Sequence, residues 1–202
     1  MRRLQNDIIK TLSQKTNGII TTAQLERAGV SRVYIPNLIK EGLLVKEAHG
    51  IYYYYDELPD TLRILQEKSQ KLIFSFGTAL FLWNLSDRVP HTIDITVPQG
   101  YNTARLKNSA PNLRFHYVSP EKWKIGITKT KTPNGNLVQL YDKERCIIDL
   151  VKAKQKTEKQ LYLQALKEYF SDPSANVSKL LKYAKIFNQE NSIRDYLEIL
   201  SV

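Results

Sequence analysis

The histidines and the cysteine are the side chains of this sequence that most readily bind metals or act as nucleophiles. They are scattered, and no Cys or carboxylate stands at zinc-ligand spacing from them: His49, His91, His116 and Cys146. One cysteine also excludes an internal disulfide. We therefore expect neither a metal site nor a cofactor.

Carboxylates give a second set of candidates for catalysis. Asp94 could form a dyad with His91, and Asp142, Glu144 and Asp149 could hold a metal for phosphoryl chemistry. On a helix, however, Glu144 and Asp149 would lie about 140° apart in azimuth. The chain also has no Gly-rich phosphate loop and no Gly-x-Ser-x-Gly motif. A nucleic-acid-modifying enzyme is therefore kept only as an alternative function.

A third set of polar residues has the chemistry needed to read DNA. Arg32 can bind guanine or a phosphate, Asn37 can pair with adenine, and Ser31 at a helix N-terminus can bind a phosphate. The predicted DNA contacts, which include residues of the preceding helix and of a following hairpin, are Thr21, Thr22, Ser31, Arg32, Tyr34, Asn37, Lys40, Lys46 and His49.

Two short helices are predicted to position these residues. Thr21 and Gln24 have the spacing of a capping box, so a helix begins at Thr22. Gly29 stands where a left-handed residue ends that helix, and Ser31 is expected to be the N-cap of the next one. Two helices joined by a tight glycine turn are typical of a helix-turn-helix.

The second helix is predicted to be amphipathic. Ile35, Leu38 and Ile39 recur at helical spacing and should face inward, which leaves the polar residues outside. Pro36 removes a helix hydrogen bond to the Arg32 carbonyl, so we expect a kink or a late helix start.

A hairpin follows the two helices. Residues 43–46 and 51–55 have strand patterns around a turn at 47–50, and a helix over about 6–15 would complete the core. This order of elements predicts a winged helix-turn-helix. The competing interpretation is a small helical subdomain whose hairpin packs on a neighbour.

The composition limits the possible number of domains, the location and the partners of the protein. The chain has 202 residues, of which 42% are apolar, which is enough for two small domains. It contains no run of about 18 apolar residues and its N-terminus lacks the apolar region of a signal peptide. A cytoplasmic protein without a membrane contact is expected. The net charge of +10 indicates a polyanionic partner.

The domain boundary is predicted after the hairpin, where residues 56–60 combine acidic residues with a proline. Residues 1–56 then form the winged domain and residues 57–202 a second domain. Strand patterns in that domain cover residues 92–97, 113–118, 122–130 and 137–141, with an Asn-Gly turn at 134–135, and helical patterns occupy the chain from 143 onward. The predicted fold class is α+β, with a small, mostly antiparallel sheet and a helical C-terminal part.

The middle of the chain is strongly basic. Residues 101–159 contain thirteen Lys and Arg against five Asp and Glu. Interleaved with aromatic residues, they could form a second nucleic-acid surface, which the scarcity of acidic residues favours. The other interpretation is a solvated sheet whose edge lysines prevent aggregation. The residues concerned are Arg105, Lys107, Arg114, Lys122, Lys124, Lys129 and Lys131.

Residues 76–90, with the sequence FGTALFLWNLSDRVP, resemble a block of the second domain of AbiEi-type antitoxins. These proteins come from bacterial type IV, or abortive-infection, toxin–antitoxin systems. The order of residues 29–32, 50–52 and 144–150 is similar too, so the resemblance extends over nearly the whole chain. The sequence departs from the expected pattern at Cys146, where a small residue such as Thr is expected, and at Pro36.

The resemblance implies an antitoxin active in phage defence. It implies repression of its own operon through repeated promoter sites, expected as inverted repeats in double-stranded DNA. It also implies that the second domain counters a nucleotidyltransferase-like toxin, a functional partner with which no stable complex forms. An alternative is a ligand-responsive transcriptional repressor with a C-terminal sensor domain, which an apolar cavity near Trp83 would favour.

Overall fold

The computed structural model describes residues 2–56, 59–107, 110 and 112–200, and its backbone forms two compact units. The N-terminal unit comprises Met1–Gln70 and Lys131–Val138. The C-terminal unit comprises Lys71–Thr130 and Gln139–Val202. Of the predicted boundary segment, Glu57 and Leu58 lie outside the described residues. The division of function at residue 56 stays a prediction.

The N-terminal unit combines helices with a three-stranded antiparallel sheet of order β1-β3-β2. Its core joins Ile9, Ile20, Leu25, Ile35 and Leu38, all at most 4% exposed. The elements are α1 (Arg2–Lys15), β1 (Ile19–Thr21), α2 (Thr22–Arg27), a 3₁₀ turn (Arg32–Tyr34), α3 (Ile35–Lys40), β2 (Leu44–Ala48), β3 (Ile51–Tyr54) and α4 (Thr61–Lys68).

The capping box predicted for α2 is confirmed. The Gln24 N–H donates to the Thr21 hydroxyl at 3.3 Å, and the Thr21 N–H donates to Gln24 Oε1 at 2.7 Å. At the other end Gly29 has a φ of +85°, and the Val30 N–H donates to the Leu25 carbonyl at 2.9 Å. Both ends of α2 are therefore fixed by local contacts, as its sequence predicts.

The second helix departs from its prediction at its start. Ser31 stands at the N-cap of a 3₁₀ turn rather than of α3, and among the described residues its hydroxyl caps no backbone N–H. A 3₁₀ turn comes first, closed by a bond from the Tyr34 N–H to the Ser31 carbonyl at 2.9 Å. Pro36 stands in the first turn of α3, where its missing N–H would have had no helical partner. The late start of α3 is therefore confirmed.

A polar clasp holds α4 and residues 131–138 in the N-terminal unit. The buried Asp60 carboxylate caps α4 by accepting from the Arg63 N–H at 3.1 Å. Its other oxygen accepts from the Thr132 hydroxyl at 2.5 Å and from the Asn136 amide at 2.9 Å. Asn17 donates to the Gly135 carbonyl at 3.1 Å. Segments far apart in sequence are thus joined around one carboxylate.

In the C-terminal unit, helices pack on a five-stranded sheet of order β6-β5-β4-β8-β7. The end of β7 and the start of β8 fall within residues 131–138, which belong to the N-terminal unit. The elements are β4 (Ile73–Phe74), α5 (Phe76–Leu82), β5 (Ile93–Pro98), α6 (Ala104–Lys107), β6 (Leu113–Val118), α7 (Pro120–Trp123), β7 (Ile127–Lys131), β8 (Leu137–Tyr141), α8 (Lys143–Lys152), a 3₁₀ turn (Lys154–Lys156), α9 (Lys159–Ser171), α10 (Val177–Phe187) and α11 (Glu190–Leu200). The fold class is α+β.

The prediction of a mostly antiparallel sheet is wrong. Strands β4 and β5 are antiparallel, but β5 pairs with β6 and β4 pairs with β8 in parallel. The connection between β5 and β6 contains α6 and is long enough for the crossover that parallel neighbours require. The sheet is therefore mixed.

The strand predicted over residues 122–130 is only half formed. Pro120 begins the short helix α7, in which a proline is favourable at the first position. Gly126 then has a φ of +84°, and β7 begins at Ile127. The alternation of this stretch indicated a strand, but the Pro and Gly signals prevail over its first half.

Two helices of the C-terminal unit lie in its core. Thr78, Ala79 and Leu80 of α5 are buried, whereas Phe81 and Leu82 of the same helix are half-buried. In α8 the buried side chains include the charged Glu144, Arg145 and Asp149, which the pattern does not predict. Among the described helices, none is long and apolar enough to cross a membrane.

Candidate nucleic-acid interface

The 3₁₀ turn and α3 together present one polar face to solvent. Ser31, Arg32, Asn37 and Lys40 are all exposed. On the opposite face Leu38 is fully buried, and Ile35 and Ile39 pack with it on the core. The core therefore fixes the rotation of α3 so that its polar side chains point outward, as predicted.

Arg32 is not free on this face. Its Nε lies 2.6 Å from Glu26 Oε1, and its Nη2 donates to Glu26 Oε2 at 3.0 Å. This two-point contact joins α2 to the 3₁₀ turn, and its hydrogen bond and charge raise the pKa of the Arg32 guanidinium. Because 70% of the Arg32 side chain is exposed, an incoming phosphate or guanine can compete with the carboxylate.

Three of the predicted contact residues are less available. Tyr34 is half-buried and packs against the core of the N-terminal unit. Thr21 and Thr22 are half-buried as well, and the Thr21 hydroxyl is occupied by the capping box. The 3₁₀ turn explains the position of Tyr34, because it rotates this side chain relative to the continuous helix that the sequence indicated.

The hairpin lies beside the start of α2. The Thr22 N–H donates to the carbonyl of Gly50, which is part of the turn between β2 and β3, at 2.9 Å. Lys46 and His49, both exposed, lie on β2 and in that turn. Side chains of the hairpin and of the two helices therefore lie on one compact unit whose parts are hydrogen-bonded to each other.

Val33 is an exposed residue of this region that sequence reasoning missed. It is 86% exposed and stands in the 3₁₀ turn, directly after Arg32. The missed signal is Pro36, because a late start of α3 leaves the preceding residues outside the amphipathic pattern. An exposed apolar side chain at this position can contact the methyl group of thymine.

The second basic set does not follow one strand or one helix. Arg114 lies on β6 and Lys129 on β7, and these strands form opposite edges of the five-stranded sheet. Arg105 and Lys107 lie on α6, and Lys122 lies on α7 with its ammonium 5.5 Å from the centre of the Phe187 ring. The second nucleic-acid surface formed by these residues with Lys124 and Lys131 stays a prediction.

The acidic candidates of α8 are engaged in its packing. Asp142 caps α8 at the Arg145 N–H, and with Glu144 it binds Lys179 at 2.8 and 3.1 Å. Asp149 instead accepts from Arg145 Nε at 3.1 Å, and burial raises the pKa of this carboxyl. The three carboxylates therefore do not converge on one point.

The histidine dyad forms with a different partner from the one predicted. His116 Nε2, and not His91, lies 2.8 Å from Asp94 Oδ1. The pairing follows from the parallel register of β5 and β6, which places His116 opposite Thr96 and near Asp94. Within the described residues no group of three or more His, Cys, Asp or Glu side chains could hold a metal ion.

The thiol and the indole that the sequence singled out are both packed. Cys146 is buried, and burial raises the pKa of its thiol well above the ordinary value. Trp83 donates its indole N–H to the Tyr141 carbonyl at 2.8 Å, and Lys143 lies over its ring. These contacts account for both residues as parts of the packing of the C-terminal unit.

Comparison with known families gives a class for the N-terminal unit. Residues 7–55 match a family of transcriptional regulators described as AbiEi antitoxins. The resemblance to AbiEi antitoxins is thereby confirmed over this segment, about a quarter of the chain. The match falls on the helices and hairpin of the candidate interface, whereas the block that first carried the resemblance, residues 76–90, lies outside it.

Comparison with solved structures adds a particular protein. The crystal structure of the RV2827C protein from Mycobacterium tuberculosis superposes with a TM-score of 0.50 at 13% sequence identity. The alignment covers 95% of this chain and 79% of that chain. At this identity the likeness concerns the fold alone. No curated protein matches the sequence.

Proposed function

We propose that this protein is a DNA-binding antitoxin of a bacterial type IV toxin–antitoxin system, acting in the cytoplasm. A winged helix-turn-helix within residues 1–56 binds repeated sites in the promoter of its own operon and represses it. The C-terminal part counters a nucleotidyltransferase-like toxin without a stable complex. The protein is a regulator and not an enzyme.

The main support for the proposed DNA binding is the exposed polar face of the 3₁₀ turn and α3. Ser31, Arg32, Asn37 and Lys40 offer donors for phosphates and base edges, while the apolar residues of the same segment hold it on the core. The adjoining hairpin adds Lys46 and His49, which suit a wing that contacts the DNA backbone or minor groove. The regulator family matched by residues 7–55 supports the same function.

Measurement of promoter binding tests the DNA-binding part of the proposed function directly. The purified protein should bind duplex DNA from upstream of its own gene with an affinity that falls steeply with salt, because each phosphate contact releases counterions. Replacing Arg32 and Lys40 by Ala should weaken the complex roughly 10- to 100-fold. The control, Lys182→Ala with Lys185→Ala on α10, removes the same charge and should bind as wild type. Equal binding to random duplex DNA would show that the repressor function is wrong.

Co-expression with the toxin gene tests the antitoxin half. The Arg32→Ala, Lys40→Ala protein should still rescue growth at equal protein level, because the proposal assigns toxin neutralisation to the C-terminal part. Mixed purified toxin and antitoxin should also elute separately from a sizing column. Loss of rescue in this variant, or stable co-elution, would contradict the proposed mechanism.

A further inference from the structure

Val33 and Pro36 form a small apolar patch on the outer face of the 3₁₀ turn and α3. Val33 is 86% exposed, more than any other large apolar side chain among the described residues, and Pro36 is exposed as well. The backbone stays helical between them, with φ/ψ of −89°/−19° at Tyr34 and −54°/−42° at Ile35. Side chains three positions apart lie on one side of such a backbone, so Val33 and Pro36 lie next to each other.

The same face continues into the polar residues of α3. Asn37 and Lys40 stand four and seven positions after Val33, which is the spacing of one helix face, and both are exposed. Ile35 and Leu38 are buried on the opposite side. The apolar patch therefore borders an amide that can read adenine and an ammonium that can hold a phosphate.

The size and surroundings of the patch argue against a protein partner. A stable protein interface covers roughly 800 Å² on each side and has few charged residues at its centre. Here two apolar side chains lie among the exposed polar residues Ser31, Asn37 and Lys40, so a protein covering them would also remove these polar groups from water. A duplex would instead supply phosphates and base edges as their partners.

Among the groups on the edges of DNA bases, one suits an apolar side chain. The major groove presents hydrogen-bond donors and acceptors, which valine cannot pair, and the C5 methyl group of thymine. The minor groove presents no methyl group. Because valine is branched at Cβ, its methyl groups have few orientations and lose little freedom on contact. The patch therefore selects thymine among the four bases.

We propose that Val33, supported by Pro36, packs on the C5 methyl group of a thymine in the promoter site and so determines part of the sequence that the protein recognises. This inference rests on the proposed promoter binding and adds to it one base and the side chain that reads it. The contact favours thymine over uracil, which differs from thymine only by the methyl group.

Replacing each thymine of the bound promoter site in turn by deoxyuridine tests the contact, because this change removes the methyl group and keeps every hydrogen-bonding group. At one position the wild-type affinity should fall about fourfold, the effect of one buried methyl group. Val33→Ala should lose a similar factor on the thymine duplex and should bind the thymine and uracil duplexes equally at that position. The control, Val89→Ala, changes a valine that is 72% exposed in the C-terminal unit and should bind as wild type.

An added methyl group provides the reverse test. Cytosine in place of that thymine should lower the affinity. The methyl group of 5-methylcytosine occupies the same place in the major groove, so it should restore about fourfold of the affinity for wild type and none for Val33→Ala. If Val33→Ala lost equal affinity for the thymine and uracil duplexes at every position, the proposed contact would be wrong.

Failure of the promoter to bind would be a different result. A duplex selected from a random pool would then replace the promoter, and coupling of Val33 to a thymine methyl group there would preserve this inference while autorepression fell. Absence of any sequence-specific duplex binding would overturn both. Val33→Ala should keep the melting temperature of wild type, since an exposed side chain contributes little to folding, so its loss of affinity reports the contact.

Discussion

Arginine meets a carboxylate in both units, but the two pairs differ in burial. On the N-terminal unit Arg32 contacts Glu26, and 70% of the Arg32 side chain is exposed. In α8 Arg145 contacts Asp149 with its side chain fully buried. The Arg145 guanidinium lies between the rings of Tyr141 and Phe187, at 4.2 and 4.1 Å from their centres. A guanidinium–carboxylate pair thus lies on an exposed surface in the N-terminal unit and inside the core in the C-terminal unit.

The difference follows from desolvation. A buried charge has lost its water, so its protein partners are needed for folding, whereas an exposed pair exchanges easily with water, ions or a ligand. Arg145 also donates to the carbonyls of Lys122 and Ile125 at 2.7 and 3.0 Å. We therefore expect α8 substitutions to act on stability and substitutions around Arg32 to act on binding.

The largest expected effect is that of removing Arg145. Arg145→Met should lower the free energy of unfolding by roughly 3–5 kcal/mol, because Asp149 and two carbonyls lose their partner inside the core. Chemical denaturation followed by circular dichroism measures this change. Arg32→Met, the matched exposed substitution, should stay within about 0.5 kcal/mol of wild type. Similar losses for the two variants would refute the contrast between the pairs.

Asp60 allows the contrast between buried and exposed charges to be tested within the N-terminal unit. Asp60→Ala removes the cap of α4 and the acceptor for Thr132 and Asn136, so we expect a loss of roughly 1–3 kcal/mol. Asp56→Ala, at an exposed position nearby, is the control and should change stability little. Equal unfolding curves for both variants would mean that the clasp does not stabilise this unit.

The polar clasp around Asp60 also shows which contacts cannot be predicted from the sequence. The capping box of Thr21, the left-handed Gly29 and the cap at Asp60 could all be predicted, since each depends on residues within a few positions. The bonds from Asp60 to Thr132 and Asn136 join positions more than 70 residues apart and leave no local signal. The parallel pairing of β5 with β6 was missed for the same reason, because alternation indicates a strand but not its partner.

The candidate interface was predictable to a similar degree. Its exposed residues follow from helical periodicity, which correctly placed Leu38 inside and Asn37 outside. The half-buried position of Tyr34 and the pairing of Arg32 with Glu26 depend on a 3₁₀ turn, for which Pro36 was the only signal in the sequence. The contact of His116 with Asp94 was not foreseen, because only the parallel register of β5 and β6 brings these two side chains together.

Alkaline pH should weaken the hydrogen bond between Tyr183 of α10 and Asp142 at the start of α8. Burial raises the pKa of Tyr183, whose hydroxyl donates to Asp142 Oδ2 at 3.1 Å, to about 12 from an ordinary value of 10.0. The neutral tyrosine is thus favoured by folding. Its contribution is complete below pH 10 and lost as the pH rises toward 12. Because this side chain is partly solvated, the slope should stay below the ~1.4 kcal/mol per pH unit of a fully buried group.

This expectation is checked by measuring the melting temperature between pH 9 and pH 12, a range that includes both the ordinary and the raised pKa of Tyr183. Tyr183→Phe keeps the ring and should flatten the alkaline part of the curve relative to wild type. Tyr53→Phe, on β3 of the N-terminal unit, serves as the matched substitution. An alkaline slope that Tyr183→Phe left unchanged would assign the loss of stability to other groups.

The smallest expected effect concerns the exposed pair and is a gain in binding. Glu26→Gln keeps the shape of the side chain but releases Arg32 from its carboxylate, so promoter affinity should rise roughly two- to fivefold at fixed salt. Removing a negative charge near DNA would raise affinity by itself, and a double-mutant cycle separates the two causes. In an Arg32→Ala background, Glu26→Gln should have almost no effect if release of Arg32 is the reason. An equal gain in both backgrounds would mean that Glu26 acts only as a charge and does not hold Arg32 back from DNA.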